Sequence, residues 1–300
     1  MRTSAKWLPL VAVTLFIAAG FVVLIRDQGG DRNLRRPLDT RRVSDLGSML
    51  DSFAASLPAA GPYRAPTGPE RTNILAGLAT LAAGDIPEAA EQLRPLGFTV
   101  RSGIDPATHR RYGLATNEPR SYRSWGHYLV DLSAPTGLLV EVPHPANDLH
   151  TDQVGLALYR AIPGVLLAIS GTNRYAADVA HQPDSLFHAV ATDAAARGLP
   201  QIQLHGFHDA TLPTAEVVIS PGAGALTDPV RRAADRVSDA GFVVCRSWLD
   251  ACGQLEGTRN EQGIDAATRH TLFLHVEISR SVRDDSTRWG PLATALASLH

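Results

Sequence analysis

The chain has 300 residues, of which 44% are hydrophobic and 19% charged, and a net charge of -2. That is enough for one substantial α/β domain plus a small appendage, and the near-neutral balance excludes nucleic acid as an expected partner. The 28 basic residues include a single lysine, Lys6, so abundant arginine is a habit of composition and not a phosphate-binding signature. Two cysteines, Cys245 and Cys252, exclude a zinc ribbon and fit either a small oxidised loop or two reduced thiols.

Trp7 to Ile25 is an uninterrupted apolar stretch preceded by Arg2 and Lys6. At 1.5 Å per residue it reaches the length of about 17–25 residues that spans a bilayer as a helix, and it is longer than a signal-peptide core. It predicts an uncleaved anchor over residues 1–28 that contacts the membrane through residues 7–25. The arginines from Arg26 to Arg42 weigh against export on a positive-inside count. Short N-terminal anchors nevertheless send the following domain across, and the expected location is the cell membrane, single-pass, with the C-terminal domain outside the cytoplasm.

Residues 29–95 read as a solvated linker and a helical lead-in. Val43–Phe53 and Glu70–Leu96 carry helical patterning on either side of a Pro/Gly-rich turn over 58–69, and Ala83-Gly84-Asp85 resembles the turn of a helix pair. From Phe98 the period shortens. Phe98–Ser102, Arg111–Thr116 and Trp125–Ser133 predict an antiparallel set leading to a buried strand at 137–142. Strands at 165–170, 202–206, 216–220, 242–246 and 271–278 then alternate with helices near 150–161, 185–197, 229–240 and 291–299. Asp228-Pro229 is a good helix start. The alternation predicts an α/β three-layer sandwich with a mixed central sheet over residues 96–300.

The chemistry concentrates at strand ends. Pro143 and Pro145 hold His144 in a restricted conformation just past the 137–142 strand, with Asp148, His150 and Asp152 following. Ile202-Gln-Leu-His-Gly206 delivers His205 at a second strand end, where Gly206 lets the backbone approach something closely. In Thr271–Arg280, alternation puts His275 and Glu277 on one face of a largely apolar run. A carboxylate there is expensive to bury unless it is paired, ligated or held to exchange a proton. Two imidazoles and one carboxylate around an ion, with a second carboxylate as base, make a zinc hydrolase site. His144 and His205 are the expected ligands and Glu277 the base. Asp148 leads for the third ligand, Asp152 stays open, and Asp148 also stands where it can cap the following helix.

Val140–Asp148, Leu166–Arg174, Asp178–Phe187, Gln203–Phe207 and His275–Ser279 together resemble the zinc-dependent phosphorylase/hydrolase-like superfamily. That group includes zinc carboxypeptidases, N-acetylmuramoyl-L-alanine amidases, N-formylglutamate amidohydrolases and poly-γ-glutamate hydrolases. The resemblance covers roughly residues 125–280 and lies in the order His, nearby acid, later His, late Glu on a strand. It implies Zn2+ as cofactor, His144, the acid after it and His205 as ligands, and Glu277 as catalytic carboxylate. One departure stands out: the carboxypeptidase pattern is His-x-x-Glu, whereas the first acid after His144 is Asp148.

Around this set, Arg174 and Arg280 are candidates to clamp a substrate carboxylate, and His181 and Asp184 to line the same cleft. A surface position for Arg174 and a helix-capping role for Asp184 are the plainer alternatives. The polar loop Glu256–Gly263 is suited to holding substrate. No Gly-x-Ser-x-Gly elbow, Walker A loop or His-Glu-x-x-His occurs. The expected function is a zinc-dependent hydrolase of an amide or peptide bond next to a carboxylate, in cell-wall peptide for example. The rival is a non-catalytic envelope binding module on the same fold.

Overall fold

The computed structural model of the protein describes residues 45–118 and 121–297. The expected anchor at 7–25 and most of the linker lie outside the described residues. Among the described residues no helix is long and apolar enough to cross a membrane.

The chain starts with α1 (Leu46–Ser56), which Asp45 caps by accepting from the amides of Gly47 and Ser48. The single helical pattern of 70–96 resolves into α2 (Gly68–Ala82) and α3 (Ile86–Leu93). Thr67 and Glu70 form a capping box at the start of α2, and Gly84, at φ 84°, makes the left-handed turn between the pair. Leu46, Leu50 and Phe53 of α1 share a face at helical spacing and enter the main core. Leu78, Leu81 and Leu93 of the helix pair enter the core on the other side of the sheet.

Then come β1 (Phe98–Ile104), β2 (Arg111–Asn117), β3 (His127–Asp131), β4 (Leu138–Val142), α4 (Thr151–Ala161), β5 (Val165–Ile169), α5 (Leu186–Ala196) and β6 (Gln201–Phe207). After these follow β7 (Val217–Ser220), α6 (Asp228–Asp239), β8 (Val244–Arg246), α7 (Glu261–Thr268), β9 (Phe273–Ser279), α8 (Arg280–Asp284) and α9 (Ser286–Leu296). The strands form one mixed sheet in the order β1-β2-β3-β5-β4-β6-β9-β7-β8.

Three details depart from the sequence reading. The antiparallel set β1-β2-β3 joins the sheet through β5, not through β4, because β4 is reserved for the centre. The last helix, expected near 291–299, begins at Ser286 and carries Pro291 inside it; Asp285 caps it by accepting from the Thr287 amide. Helices α7 and α8 lie in segments too polar and too short to show a period.

Alternation divides the strands between two cores. Leu138, Val140, Val142, Ile202, Leu204, Leu274, Val276 and Ile278 pack with α1, α4, α6 and α9 on one face. Leu139, Leu166, Ala168, Tyr128 and Val130 pack with α2, α3 and α5 on the other. Helices on both faces of a mixed sheet give the layered α/β architecture.

The chain runs from β4 through α4 to β5 on one side, and from β5 through α5 to β6 on the other side of β4. Parallel strands β4 and β6 are neighbours whose following segments leave in opposite directions. Such a switch point opens a crevice at the carboxyl ends of the strands, and β9 lies parallel to β6 on its far side.

Candidate metal centre and its cleft

His144 follows the end of β4 at this crevice. The amides of Asn147 and Asp148 both donate to the His144 carbonyl, a tight turn that returns the Asp148 side chain to the His144 ring. Asp148 does not cap α4, because His150, at φ 69°, occupies the cap position. Asp152 points away, towards Gln153 and Asp51. The carboxylate gathered with the two histidines is therefore Asp148: its Oδ2 lies 3.3 Å from Nδ1 of His144 and 3.5 Å from Nδ1 of His205.

The outer hydrogen bonds assign the tautomers of both rings. Nε2–H of His144 donates to Asp178 Oδ1 at 2.8 Å, and Nε2–H of His205 donates to Gln203 Oε1 at 2.9 Å. Each ring thus turns an Nδ1 lone pair inward, while Asp148 Oδ2 is buried without a hydrogen-bond partner. The two separations from Asp148 Oδ2, 3.3 and 3.5 Å, are those of donor atoms sharing an ion at bonds of about 2.0–2.1 Å, the values of zinc with nitrogen and oxygen. The donor set fits a zinc ion. Carboxylate and amide partners behind each imidazole are what ligand histidines ordinarily carry.

Arg174 supplies positive charge at the same point. Its Nη2 donates to His144 Nδ1 at 2.6 Å and lies 3.6 Å from Asp148 Oδ2. Asp178 also reaches His181, 3.2 Å from its Nδ1.

The electrostatics separate two kinds of group. Burial works against charge on Asp148, but the His144 and His205 rings set against it outweigh burial and hold the carboxyl well below the usual range. Burial pushes His205 down to about 4 and His275 further below its ordinary value, so both rings are neutral donors of lone pairs. Glu277 goes the other way: burial, then the charge of Asp148, raise it well above the ordinary glutamate value. It stands beside His205 in the β6–β9 register. Its Oε1 is 4.0 Å from His275 Nε2, and its Oε2 has no hydrogen-bond partner.

His205, His275 and Glu277 open onto a cleft of about 610 Å3, lined also by Arg174, Asp178, His181 and Arg259, while His144 and Asp148 lie buried behind it. The Gly253–Asn260 loop forms one wall of the cleft. Asp184 and Arg280 are not in that lining. The Asp184 backbone carbonyl accepts from Arg71 at the surface, and Arg280 pairs with Asp284 at 2.6 Å on α8.

Sequence reading passed over several residues of the site. Asp178 carried a signal in its i,i+3 spacing to His181. Gln203 and His275 were legible as buried polar positions alternating with apolar ones. Gln203 joins His205 to a buried network, donating to Glu141 Oε2 at 2.7 Å and Gln262 Oε1 at 3.0 Å, and Asn260 donates to its Oε1.

No protein-family model matches the chain, and no curated protein matches it. Among solved structures it is similar to a metallo-carboxypeptidase from Pseudomonas aeruginosa, at 15% identity over 71% of this chain and 67% of that one, with a TM-score of 0.38. It is also similar to a bacteriophage poly-γ-glutamate hydrolase, at 10% identity over 70% and 93% of the two chains and a TM-score of 0.38. The aminopeptidase LapA of Legionella pneumophila shows 9% identity over 89% and 79%, with a TM-score of 0.36.

Proposed function

We propose that the protein is a zinc-dependent hydrolase that cleaves an amide or peptide bond next to a carboxylate. The observation that carries this reading is the convergence of His144 Nδ1, His205 Nδ1 and the unpartnered Asp148 Oδ2, with Glu277 on the neighbouring strand. A zinc ion held by His144, Asp148 and His205 would polarise the scissile carbonyl and acidify water. The residues of the chain do the rest. Glu277, with its raised pKa, takes a proton from water and returns it to the leaving amine. Ligation through His144 Nδ1 requires Arg174 to turn its guanidinium into the cleft, where it and His181 face a substrate carboxylate.

Location belongs to the same proposal. The apolar run at 7–25 supports a tether, and the bond between Cys245 and Cys252 supports a domain outside the cytoplasm, where disulfides persist. Cell-wall peptide is then the substrate within reach.

One observation favours the rival binding module: Arg174 already satisfies His144 Nδ1 and faces Asp148, a balance of charge that needs no ion. Metal analysis of the full chain purified in detergent separates the two. The enzyme contains about one zinc per chain, loses it on His205→Ala, and releases amine from glutamate-containing peptides. A protein that takes up no zinc and hydrolyses none of them is the binding module.

A further inference from the structure

We infer that Arg283 is the positioning residue of the metal centre, a buried guanidinium that ties together the three segments carrying Asp148, His205 and Glu277. This rests on the zinc reading of the site. Arg283 follows β9 on α8, whose first turn is capped by Ser279 accepting from the Val282 amide, and its side chain turns back beneath the crevice at 3% exposure.

Each arm of the guanidinium donates to a different backbone carbonyl. Nη1 reaches Leu149 at 2.5 Å, Nη2 reaches Phe207 at 3.1 Å and Nε reaches Ile278 at 3.0 Å. Leu149 is the residue after Asp148, Phe207 lies two past His205, and Ile278 follows Glu277. A planar fork with fixed donors imposes one spacing on all three carbonyls, which an ammonium cannot do.

Two further observations show that this contact is built in. A Cβ on Gly206 would fall 2.4 Å from Arg283 Cζ and Nε, so the glycine beside His205 makes room for the guanidinium. Among the described residues no carboxylate lies within ion-pair distance of Arg283. A buried charge of that kind is costly, and the negative charge of Asp148 is the largest influence favouring it. The charge that Arg283 carries is thus favoured by the carboxylate of the very segment its Nη1 holds.

The test compares zinc affinity, by competition with a chromophoric chelator, and the visible spectrum of the Co2+-loaded protein. The variants are Arg283→Met, Arg283→Lys and Gly206→Ala in the full chain. Arg283→Met is expected to bind zinc about 10- to 100-fold more weakly, the range for residues that orient metal ligands, with altered Co2+ bands and an unchanged circular dichroism spectrum. Arg283→Lys recovers part of the affinity, and Gly206→Ala weakens it by displacing the guanidinium. Native affinity and native Co2+ bands in folded Arg283→Met would overturn the inference while leaving the zinc site standing. If Arg283→Met does not fold, native affinity in both Arg283→Lys and Gly206→Ala overturns it equally. An unaltered chain that binds no zinc removes the metal reading itself, and this inference with it.

Discussion

The two faces of β4, β6 and β9 belong to the same strands and are almost equally dry, yet they are built from opposite residues. One face carries Val140, Val142, Ile202, Leu204, Leu274 and Val276 against α4 and its neighbours. The other carries Glu141, Gln203, His205, His275 and Glu277, of which only Glu277 keeps partial access to solvent. Each side chain of the first face contributes about 1.5–3 kcal/mol by leaving water. Every polar group of the second is dehydrated at a cost that only partners can offset. A fold seeking stability alone would fill both faces with Leu and Val. The second face marks where stability has been given up for a site.

The sharpest way to break this comparison is at Glu277. Glu277→Gln keeps shape and burial and removes the proton acceptor, and kcat on a glutamate-containing peptide should fall by about 10²–10⁴-fold with zinc content unchanged. Loss of zinc in that variant would make Glu277 a ligand and not the base.

Next come paired substitutions on opposite faces of β6. Leu204→Ala should lower the unfolding free energy by about 2–5 kcal/mol, read by denaturant titration, with the zinc affinity of the folded protein unmoved. Gln203→Leu removes the partner that fixes the His205 ring and should weaken zinc binding about 10- to 100-fold, read by chelator competition. Equal effects of the two changes on affinity would erase the distinction between the faces.

Glu141 gives the polar face a pH signature. Burial pushes it up to about 8 from its ordinary 4.5, so the fold holds a proton that the unfolded chain has already released. Its stabilising contribution is complete below 4.5 and is lost as pH rises towards 8, with a slope of at most about 1.4 kcal/mol per pH unit. Glu141→Gln should flatten that limb of the stability profile, measured by denaturation at a series of pH values.

The smallest effects are expected outside the cleft. Arg280→Ala breaks an exposed pair with Asp284 and should change stability by less than about 0.5 kcal/mol and leave KM unaltered.

Much of the site is legible in the sequence. Period-2 alternation through Thr271–Arg280 put His275 and Glu277 on one face, and the run Ile202–Gly206 marked the strand end that carries His205. The two prolines around His144 gave the strand end. The choice between Asp148 and Asp152 was not readable, since both lie within reach of His144 along the chain. Only the turn closed by the Asp148 amide on the His144 carbonyl decides it. Arg283 was hidden for a different reason: in Arg280-Ser-Val-Arg-Asp-Asp285 it looks like one more solvated charge, and its burial depends on three carbonyls distant in sequence. Asp178 and Gln203 are partners of ligands, and partners are fixed by packing, not by spacing.

The sheet's margins carry a further consequence. A free edge strand offers unpaired amides and carbonyls to any passing chain, and a protein that works among dense neighbours needs to blunt that invitation. At the β8 margin the strand is only Val244–Arg246, and Cys245 in its middle is bonded to Cys252. So short a border leaves a foreign strand too little backbone on which to dock and spread, and the cross-link, buried beside Val218 and Phe207, holds the strand in place.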